Sequence, residues 1–494
     1  MFWTALAAVA VLAAVWLVRI NAGMLSVPED AQNASPQRWT KQRIQEAYER
    51  VKKKPIDFSH LLPPRLERRY VIVGGSGLVG GDIVLQLLER GELPEAIRIV
   101  DFAPVNRRDM LRTAADCDFA KADITSRASV EAAFSRPWPE SVAKRPLTVF
   151  HTAAAVRPQE RSLLLYHRIS PVNRDGAVNV LETAKAAGAD VFIATSSASV
   201  GVVPPNFWIW PWQSSPKDYV QVVDEKDFDA PLRPHSQFFS NYGYSKAEAE
   251  RAVCAANSPT FRTGAIRPGN PIYGQKTDPV LGIVLRTGDN VTWIPHVIQH
   301  FVNSRNVALA HLQFEAALAP TTPTSRTSAR SKAAALAHLP ACAGRPFNVT
   351  DPGPPIAFTD LYTAAEQLST KPVRTFPQQP LVLFLIAHVI EAWCLILARF
   401  PFLTKYFGLR EPAGPIHMLQ PSVFTVSIHT IIDDSEARKS VEDGGIGYRP
   451  GCETLEGVCE QILEWNRENE GVEGEDGPEG TLAKAALTGQ GVAA

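Results

Sequence analysis

The chain has 494 residues, of which 45% are hydrophobic and 20% are charged, and 50 Lys and Arg residues balance 51 Asp and Glu residues to a formal net charge of −1. Because no basic excess exists to attract a polyanion, this balance argues against nucleic-acid binding. Six cysteines without a C-x-x-C pair argue against a disulfide framework and against a thiolate metal site, so we expect reduced cysteines and no metal.

An uncharged apolar run opens the chain, from Phe2 to Val18, and is long enough to cross the hydrocarbon of a bilayer as a helix. We therefore expect a transmembrane anchor over residues 1–20 and a linker over residues 21–65. A signal peptide is the alternative, although the run lacks a basic start and a clear cleavage site. Positive charge follows the run, beginning at Arg19, which predicts a single-pass protein with its bulk in the cytosol.

A second apolar run, from Leu381 to Ala398, contains His388 and Glu391. A charge at mid-bilayer is costly, so the run predicts a helix that lies in the membrane interface or against a substrate entrance rather than a full crossing. A buried core helix is the alternative. The Ser-, Thr- and Arg-rich stretch 319–331 predicts a flexible surface insertion, and the Gly- and Glu-rich residues 466–494 predict a disordered tail.

Between Arg69 and Gly274, short apolar bursts such as YVIV, IRIV and TVFHTA alternate with segments of helical period such as GAVNVLETAKAAG. This alternation predicts βαβ units and a doubly wound parallel sheet of the α/β class. We expect a dinucleotide-binding catalytic domain over residues 66–275. A smaller substrate-binding part over residues 276–465 would contain the membrane-associated helix 381–398.

A glycine-rich turn joins the first predicted strand to the first helix in VIVGGSGLVGGDIVLQLLERG, where Gly74, Gly77 and Gly80 recur every third residue. A dinucleotide pyrophosphate needs such a tight turn, close backbone approach and the N–H groups of a helix N-terminus. Asp123, after a further apolar stretch, is placed to meet the adenine edge. Simple turn chemistry for the glycines and a solvated loop for Asp123 are the alternatives.

Asp101 ends the second predicted strand, about 21 residues beyond the last glycine of the turn, where a carboxylate can accept hydrogen bonds from the adenosine ribose. That position favours NAD over NADP as the cofactor. Arg107 and Arg108 follow closely and leave NADP open as the alternative.

The segment SNYGYSKAEAE places Tyr242 and Lys246 one helical turn apart on a common face. A tyrosine can take the proton of an alcohol as its hydride leaves, provided that a nearby cation lowers the tyrosine pKa. Ser197 follows a predicted strand and can hold the substrate oxygen, with Ser196 as the nearest substitute. Asn173 either holds a water that links the lysine to solvent or caps a helix.

With these residues in place, the chain resembles the 3β-hydroxysteroid dehydrogenase/isomerase group of the extended short-chain dehydrogenases. The motifs that carry the resemblance are GGSGLVG, HTAAAV, VNRDGAVNVLETA, TSSASV, YGYSK, AIRPGNPIYG and the late run PLVLFLIAHVIEAWCLIL. By this resemblance Tyr242 is the acid/base, Lys246 binds the nicotinamide ribose and lowers the tyrosine pKa, and Ser197 orients the substrate. The long Ser197-to-Tyr242 gap with its NFWIWPW segment departs from the family pattern and leaves the substrate open.

The resemblance implies a membrane-bound NAD-dependent oxidoreductase of the endoplasmic reticulum that acts on the 3β-hydroxyl of a sterol or related polycycle. The chain is also similar to the sterol 4α-carboxylate dehydrogenases, which implies decarboxylation at the adjacent carbon. A lipid membrane, a sterol and a second copy of the chain in a homodimer are the expected partners. Two alternatives stand beside this one: an NAD(P)-dependent dehydrogenase or reductase of a terpenoid or polyketide alcohol, and a non-catalytic, membrane-tethered nucleotide-binding module.

Overall fold

The structure is a computed structural model that describes residues 2–320 and 339–470. The predicted insertion 319–331 and the predicted tail 466–494 lie for the most part outside these residues. The helices are α1 Phe2–Met24, α2 Glu29–Ala34, α3 Lys41–Lys53, α4 Leu78–Glu89, α5 Met110–Thr113, α6 Arg127–Ser135, α7 Ala177–Ala186, α8 Lys226–Asp229, α9 Asn241–Ala255, α10 Leu281–Thr287, α11 Ser304–Leu318, α12 Phe358–Leu368, α13 Pro380–Arg399, α14 Pro401–Phe407, α15 Pro415–Met418, α16 Pro421–Val426, α17 Ser435–Arg438 and α18 Thr454–Asn469.

The strands form one large sheet and three small ones. They are β1 Arg69–Val73, β2 Ile97–Asp101, β3 Asp118–Lys121, β4 Leu147–His151, β5 Val191–Thr195, β6 Val220–Val223, β7 Arg262–Pro268, β8 Ile272–Tyr273, β9 Asp289–Thr292, β10 Ile298–Gln299, β11 Val302–Asn303, β12 Pro346–Val349, β13 Ile356–Ala357, β14 Arg374–Pro377 and β15 His429–Ile432.

The large sheet has seven parallel strands in the order β12-β7-β5-β4-β1-β2-β3, which confirms the predicted doubly wound α/β fold. Side chains alternate between its faces. Ile72 of β1 packs into the cluster that contains α4 and α11, whereas Val71 and Val73 pack into the cluster that contains α6, α7 and α9. Both faces are covered by helices, as the near-continuous apolar strands require.

The boundary expected at residue 275 does not divide the chain into two bodies. Strand β12, far beyond that boundary, completes the large sheet beside β7. In the other direction, β6 joins a four-stranded sheet in the order β13-β10-β15-β6, whose remaining strands come from the second half. Each half therefore supplies a strand to the other, and short apolar strands give no local sign of which sheet they join.

The expected linker 21–65 is instead part of the folded body. Helix α3 buries Ile44, Ala47 and Val51 in the apolar cluster that also contains Val458 and Ile462 of α18. Helix α18 itself runs to Asn469, beyond the expected start of the tail at residue 466. The first helix likewise extends past residue 20, because Ile20 and Met24 are buried against the main body.

Candidate active site

The glycine turn lies between the carboxyl end of β1 and the start of α4. Gly74 has φ +86°, and a Cβ atom there would lie 2.5 Å from the backbone nitrogen of Ala153. A Cβ atom on Gly80 would lie 2.2 Å from the carbonyl oxygen of Gly74. Gly77 is the N-cap of α4, and a glycine has no side chain to cap the helix start. The turn and the helix start are thus as tight as a pyrophosphate cradle requires, so these residues fit a bound dinucleotide.

Asp101 lies beside this turn, at the end of β2. Its carboxylate accepts hydrogen bonds from the backbone N–H groups of Ser76, at 3.0 Å, and Ala103, at 3.1 Å. The N–H of Ala122 donates to the carbonyl of Asp101, which brings Asp123 to the same edge of the sheet. Asp123 is exposed, and its carboxylate accepts from the N–H and the hydroxyl of Thr125.

The two arginines that left NADP open are paired within the protein. The guanidinium of Arg107 lies under the glycine turn, where it donates to the carbonyls of Gly77 and Leu78 and pairs with Asp82 and Asp109. Arg108 is exposed and forms an ion pair of 3.8 Å with Glu468. Since Arg107 is committed to the helix start, its position gives no support to recognition of a 2′-phosphate.

Tyr242 and Lys246 lie in the first turns of α9, which Ser240 caps by accepting from the N–H of Gly243. Ser197 follows β5, and its hydroxyl lies 2.8 Å from the Ser199 hydroxyl and 3.4 Å from the side-chain nitrogen of Asn270. Burial raises the pKa of Tyr242, and a hydrogen bond with Ser197 opposes that shift. The structure therefore brings the side chains of Ser197 and Tyr242 together.

Lys246 is buried, and its ammonium donates to the carbonyl of Thr195 at 2.6 Å. Burial lowers the pKa of Lys246 to about 8. Lys246 does not lower the pKa of Tyr242 in this structure, because burial raises that pKa and only the hydrogen bond with Ser197 opposes the shift. The ammonium instead lies at the carboxyl end of β5, close to the imidazole of His151.

Asn173 lies in a π-helical turn, Pro171–Gly176, rather than at a helix cap. Its side-chain oxygen accepts from the N–H of Ala155 at 2.7 Å. Its side-chain nitrogen donates to the Ala155 carbonyl at 3.0 Å and to the Ser245 hydroxyl at 3.1 Å. The side chain therefore ties the loop after β4 to α9 between the tyrosine and the lysine.

Sequence reasoning missed three polar residues around this set. His151 ends β4, and burial together with the charge of Lys246 lowers its pKa to about 3, so the imidazole is neutral. Ser199 and Asn270 both contact the Ser197 hydroxyl. The signal for His151 was its place at the carboxyl end of a buried strand, where ligands of α/β sheets bind. Asn270 lies within the motif AIRPGNPIYG, but that motif does not indicate that its side chain reaches Ser197 from beyond β7.

A small cavity opens beside these residues. Its polar lining includes Ser199, Asn270 and Gln299, and its apolar lining includes Val202 and Ile432. Ligand pockets of drug-sized molecules are roughly 300–1,000 Å³, so a polycyclic substrate requires some movement of the surrounding segments.

Comparison with known proteins identifies the family. Residues 71–364 match the 3-beta hydroxysteroid dehydrogenase/isomerase family. The chain belongs to this family. The match covers the glycine turn, Ser197, Tyr242 and Lys246, and it ends within α12.

Two sterol-4-alpha-carboxylate 3-dehydrogenases, both decarboxylating, are among the relatives of this family member. The human protein is 31% identical over 225 residues, which are 45% of this chain and 49% of the human chain. The Schizosaccharomyces pombe protein is 26% identical over 378 residues, which are 74% of this chain and 94% of its own. The chain thus spans about half the length of the human relative. The epimerase Mth375 of Methanothermobacter thermautotrophicus shares the fold, with a TM-score of 0.52 at 14% identity over 84% of this chain and 97% of its own.

Within residues 2–320 and 339–470 of this family member, two helices are long and apolar enough to cross a membrane, one within residues 2–34 and the other α13. Most residues of α1 are exposed, and its end is held by Asn21, which bonds to Gln379 and to the N–H of Leu381. Trp16 donates to the carbonyl of Ile209 at 2.6 Å. The two apolar helices therefore lie side by side on one surface of the protein.

The tryptophan-rich loop belongs to this apolar surface. Trp208 contacts the rings of Trp16 and Phe384, with centroids 6.0 and 5.8 Å apart, and Trp210 stacks on Trp212 with both rings exposed. None of the three tryptophans lines the cavity beside Ser199. The geometry therefore places this loop beside the apolar helices.

One group of residues brings metal-ligating atoms together, although no metal was expected. The ligand atoms of Cys394, Glu411 and His417 lie within 4.8 Å of one another. The guanidinium of Arg168 bonds to both carboxylate oxygens of Glu411, at 2.7 and 3.1 Å. A cation at this point would meet the positive charge of that arginine, so the group does not favour a metal.

Proposed function

We propose that this protein is a membrane-bound, NAD-dependent dehydrogenase that oxidises the 3β-hydroxyl of a sterol or a closely related polycycle. The observation that carries the proposal is the meeting of Ser197 with Tyr242 at the carboxyl edge of a parallel sheet that also bears the glycine turn. The named activities of the human and Schizosaccharomyces pombe relatives support the sterol substrate.

The proposed cofactor site comprises Gly74, Gly77, Gly80, Asp101 and Lys246. NAD, when bound, accepts the hydride from the carbinol carbon. The close backbone approach at Gly74 and Gly80 supports pyrophosphate binding, and Asp101 is offered to the adenosine ribose. The pairing of Arg107 with Asp82 and Asp109 supports NAD over NADP. Asp123, two residues beyond β3, is proposed to meet the adenine edge.

In the proposed reaction, the phenol of Tyr242 takes the hydroxyl proton of the substrate, and Ser197 donates a hydrogen bond to the same oxygen. Lys246, whose pKa of about 8 leaves most of it charged at neutral pH, binds the ribose next to the nicotinamide and stabilises the phenolate. Asn173 holds α9 against the loop after β4 and so fixes the helix that carries both groups.

A carboxylate on the carbon next to the new ketone would give the reaction a second product. Oxidation of a 3-hydroxy-4-carboxylate yields a β-keto acid, which loses carbon dioxide without a further catalytic group. We propose that decarboxylation follows oxidation in this way, as the names of the relatives indicate for those proteins. The membrane proposal places α1 and the exposed side of α13 in a bilayer, the catalytic part in the cytosol and the protein in the endoplasmic reticulum.

A substrate panel with product mass analysis tests this proposal. Purified full-length protein, NAD and 3β-hydroxysterols with and without a 4α-carboxylate are compared with terpenoid and polyketide alcohols, and the absorbance of reduced cofactor is followed. We expect turnover of the sterols and, for the 4α-carboxylates, a product lighter than the substrate by one carbon dioxide and two hydrogens. Turnover confined to the non-steroid alcohols would replace the sterol by that class. A total lack of turnover would contradict the proposal.

A further inference from the structure

The acidic residue within the apolar helix α13 is paired rather than exposed. Glu391 lies on the buried side of α13, together with Phe384, Ala387 and Cys394. Its two carboxylate oxygens accept from the Nε and one Nη of Arg161, both at 2.7 Å. A bidentate arginine–carboxylate pair fixes orientation as well as distance. The charge that makes a full membrane crossing costly is therefore used to attach the helix to the catalytic body.

A second pair attaches the segment that follows α13. The carboxylate of Glu411 accepts from both Nη atoms of Arg168, and hydrogen bonding by His417 together with that guanidinium lowers the pKa of Glu411 to about 2. Arg168 also pairs with the buried Glu160 at 3.0 Å. Arg161 and Arg168 belong to one stretch, residues 157–168, which we name the clamp loop.

The clamp loop contacts the catalytic helix α9 at two points. Near its start, the carbonyls of Glu160 and Ser162 accept from the backbone and side-chain nitrogens of Asn241, at 2.8 and 2.9 Å. Further along, the hydroxyl of Tyr166 donates to the carboxylate of Glu248. Tyr242 and Lys246 lie between these two contacts, so a shift of the clamp loop would move both of them.

The outer side of α13 is apolar and exposed. Val382, Leu385 and Val389 are exposed on it, and Phe402 and Tyr406 of α14 continue the same apolar surface. An exposed apolar helix face next to the apolar helix α1 is what a lipid bilayer covers. A docked bilayer would hold α13 directly, and through Glu391 and Glu411 it would hold the clamp loop.

We propose that binding of α13 to a lipid bilayer fixes the position of Tyr242 through the clamp loop. Arg161 and Arg168 are the positioning residues. The inference rests on the proposed function for its catalytic consequence, whereas the mechanical link stands on the contacts alone. The link explains why two arginines, two carboxylates and Asn241 form one continuous chain of bonds from an apolar surface to the first turn of α9.

Kinetics on phosphatidylcholine vesicles and in detergent test the catalytic consequence. Arg161→Gln should lower kcat about tenfold with little change in KM, since small misplacements of catalytic groups cost one to two orders of magnitude. The exchanged pair Arg161→Glu with Glu391→Arg should restore much of the loss. Arg438→Gln is the matched control, because Arg438 forms a bidentate pair of similar exposure with Asp434, away from α9. An unchanged kcat in Arg161→Gln, or a loss equal to that of the control, would overturn the proposal.

Hydrogen exchange tests the link without any substrate, so it separates this inference from the proposed function. Vesicles should slow amide exchange at the start of α9 in the wild type and leave it unchanged in Arg161→Gln with Arg168→Gln. Glu391→Gln, which keeps the shape of the side chain, serves the same purpose if the double variant does not fold. The proposal would be wrong if vesicles did not change amide exchange at the start of α9 in the wild type, or if they slowed it equally in the variants. Protection without sterol turnover would uphold the link and remove the proposed substrate.

Discussion

At the residue scale, the decisive group is the phenol of Tyr242, whose pKa burial raises above its ordinary value. Only the deprotonated phenol can accept a proton, so a raised pKa slows oxidation at neutral pH and makes its rate increase with pH. In the proposed reaction, Lys246 stabilises the phenolate most strongly while it is charged, below its pKa of about 8. A rise in pH therefore has two opposing effects: it deprotonates the phenol, and it removes the charge of the lysine. The site depends on the contact of both groups with substrate and cofactor for the phenol to act as a base.

Tyr242→Phe removes this proton acceptor and keeps the ring. We expect turnover to fall by roughly 10²–10⁴-fold, the usual contribution of general acid–base catalysis, with NAD binding nearly unchanged. Tyr244→Phe is the control, because Tyr244 lies two residues further along α9 and contacts Tyr166 and Phe238 instead of Ser197. Initial rates and a fluorescence titration with NAD measure both effects. Equal activity of the two variants would remove Tyr242 from the chemistry.

Asp101→Asn should weaken discrimination between the two cofactors. The variant keeps a hydrogen-bond acceptor but loses the charge that repels a 2′-phosphate, so we expect the ratio of kcat/KM for NAD over NADP to fall by about tenfold. Arg107→Gln should instead lower the melting temperature and leave that ratio unchanged, because Arg107 pairs with Asp82 and Asp109. A gain in NADP preference on loss of Arg107, or an unchanged ratio in Asp101→Asn, would contradict these assignments.

At the element scale, the sequence predicted those elements whose signals are local. The glycine turn, the alternating strands and α9 all carry a period or motif within about 20 residues. Helix α3 could not be placed in this way, because its partner α18 lies at the far end of the chain. Strands β6 and β12 could not be placed either, since a strand of four residues does not indicate which sheet it joins. The same limit applied to the site: all of Ser197, Tyr242 and Asn270 lie in motifs, but the contact of Asn270 with Ser197 depends on the fold.

The junction between β6 and β12 makes folding stability depend on pH. Glu225 accepts from the N–H of Asn348 at 2.6 Å, and burial raises its pKa to about 7 from an unfolded value near 4.5. The folded state therefore holds this proton more tightly, so the stability it contributes is present below pH 4.5 and is lost as pH rises through 7.

Glu225→Gln should remove this loss. Relative to the variant, the wild type should become less stable by about 3 kcal/mol across that range, from the usual cost of a pKa shift of this size. Denaturant unfolding at a series of pH values measures the difference. Glu131→Gln on α6 is the control, because the Glu131 side chain is exposed. A difference that stays constant with pH would show that Glu225 does not titrate in the folded protein at these values.

At the scale of the whole molecule, the apolar helices α1 and α13 lie together on one surface, with the catalytic helix linked to that surface by the clamp loop. Residues 2–18 are mostly exposed, whereas Ile20 and Met24 are buried. The first part of α1 is thus separable from the folded body, which Trp16 and Leu17 contact.

Deletion of residues 2–18 should therefore leave the melting temperature within a few degrees of the full chain while reducing sedimentation with phosphatidylcholine vesicles. Association should be weakened and not abolished, because the exposed faces of α13 and α14 remain. Substitution of the exposed side chains Val382, Leu385 and Val389 by Ser in the same deletion variant should abolish the remaining association with vesicles. A deletion variant that binds vesicles as strongly as the full chain would place the anchor elsewhere.

The central claim is that a hydride passes from the 3-carbon of a sterol to NAD while Tyr242 takes the hydroxyl proton. A sterol 4α-carboxylate bearing deuterium at the 3-carbon, incubated with full-length protein and NAD on vesicles, tests this claim most directly by mass analysis of the cofactor and of the sterol product. We expect reduced cofactor that carries one deuterium and a 3-ketone that has lost carbon dioxide, with both products nearly absent in Tyr242→Phe. Reduced cofactor without deuterium, or equal labelling in Tyr242→Phe, would contradict it.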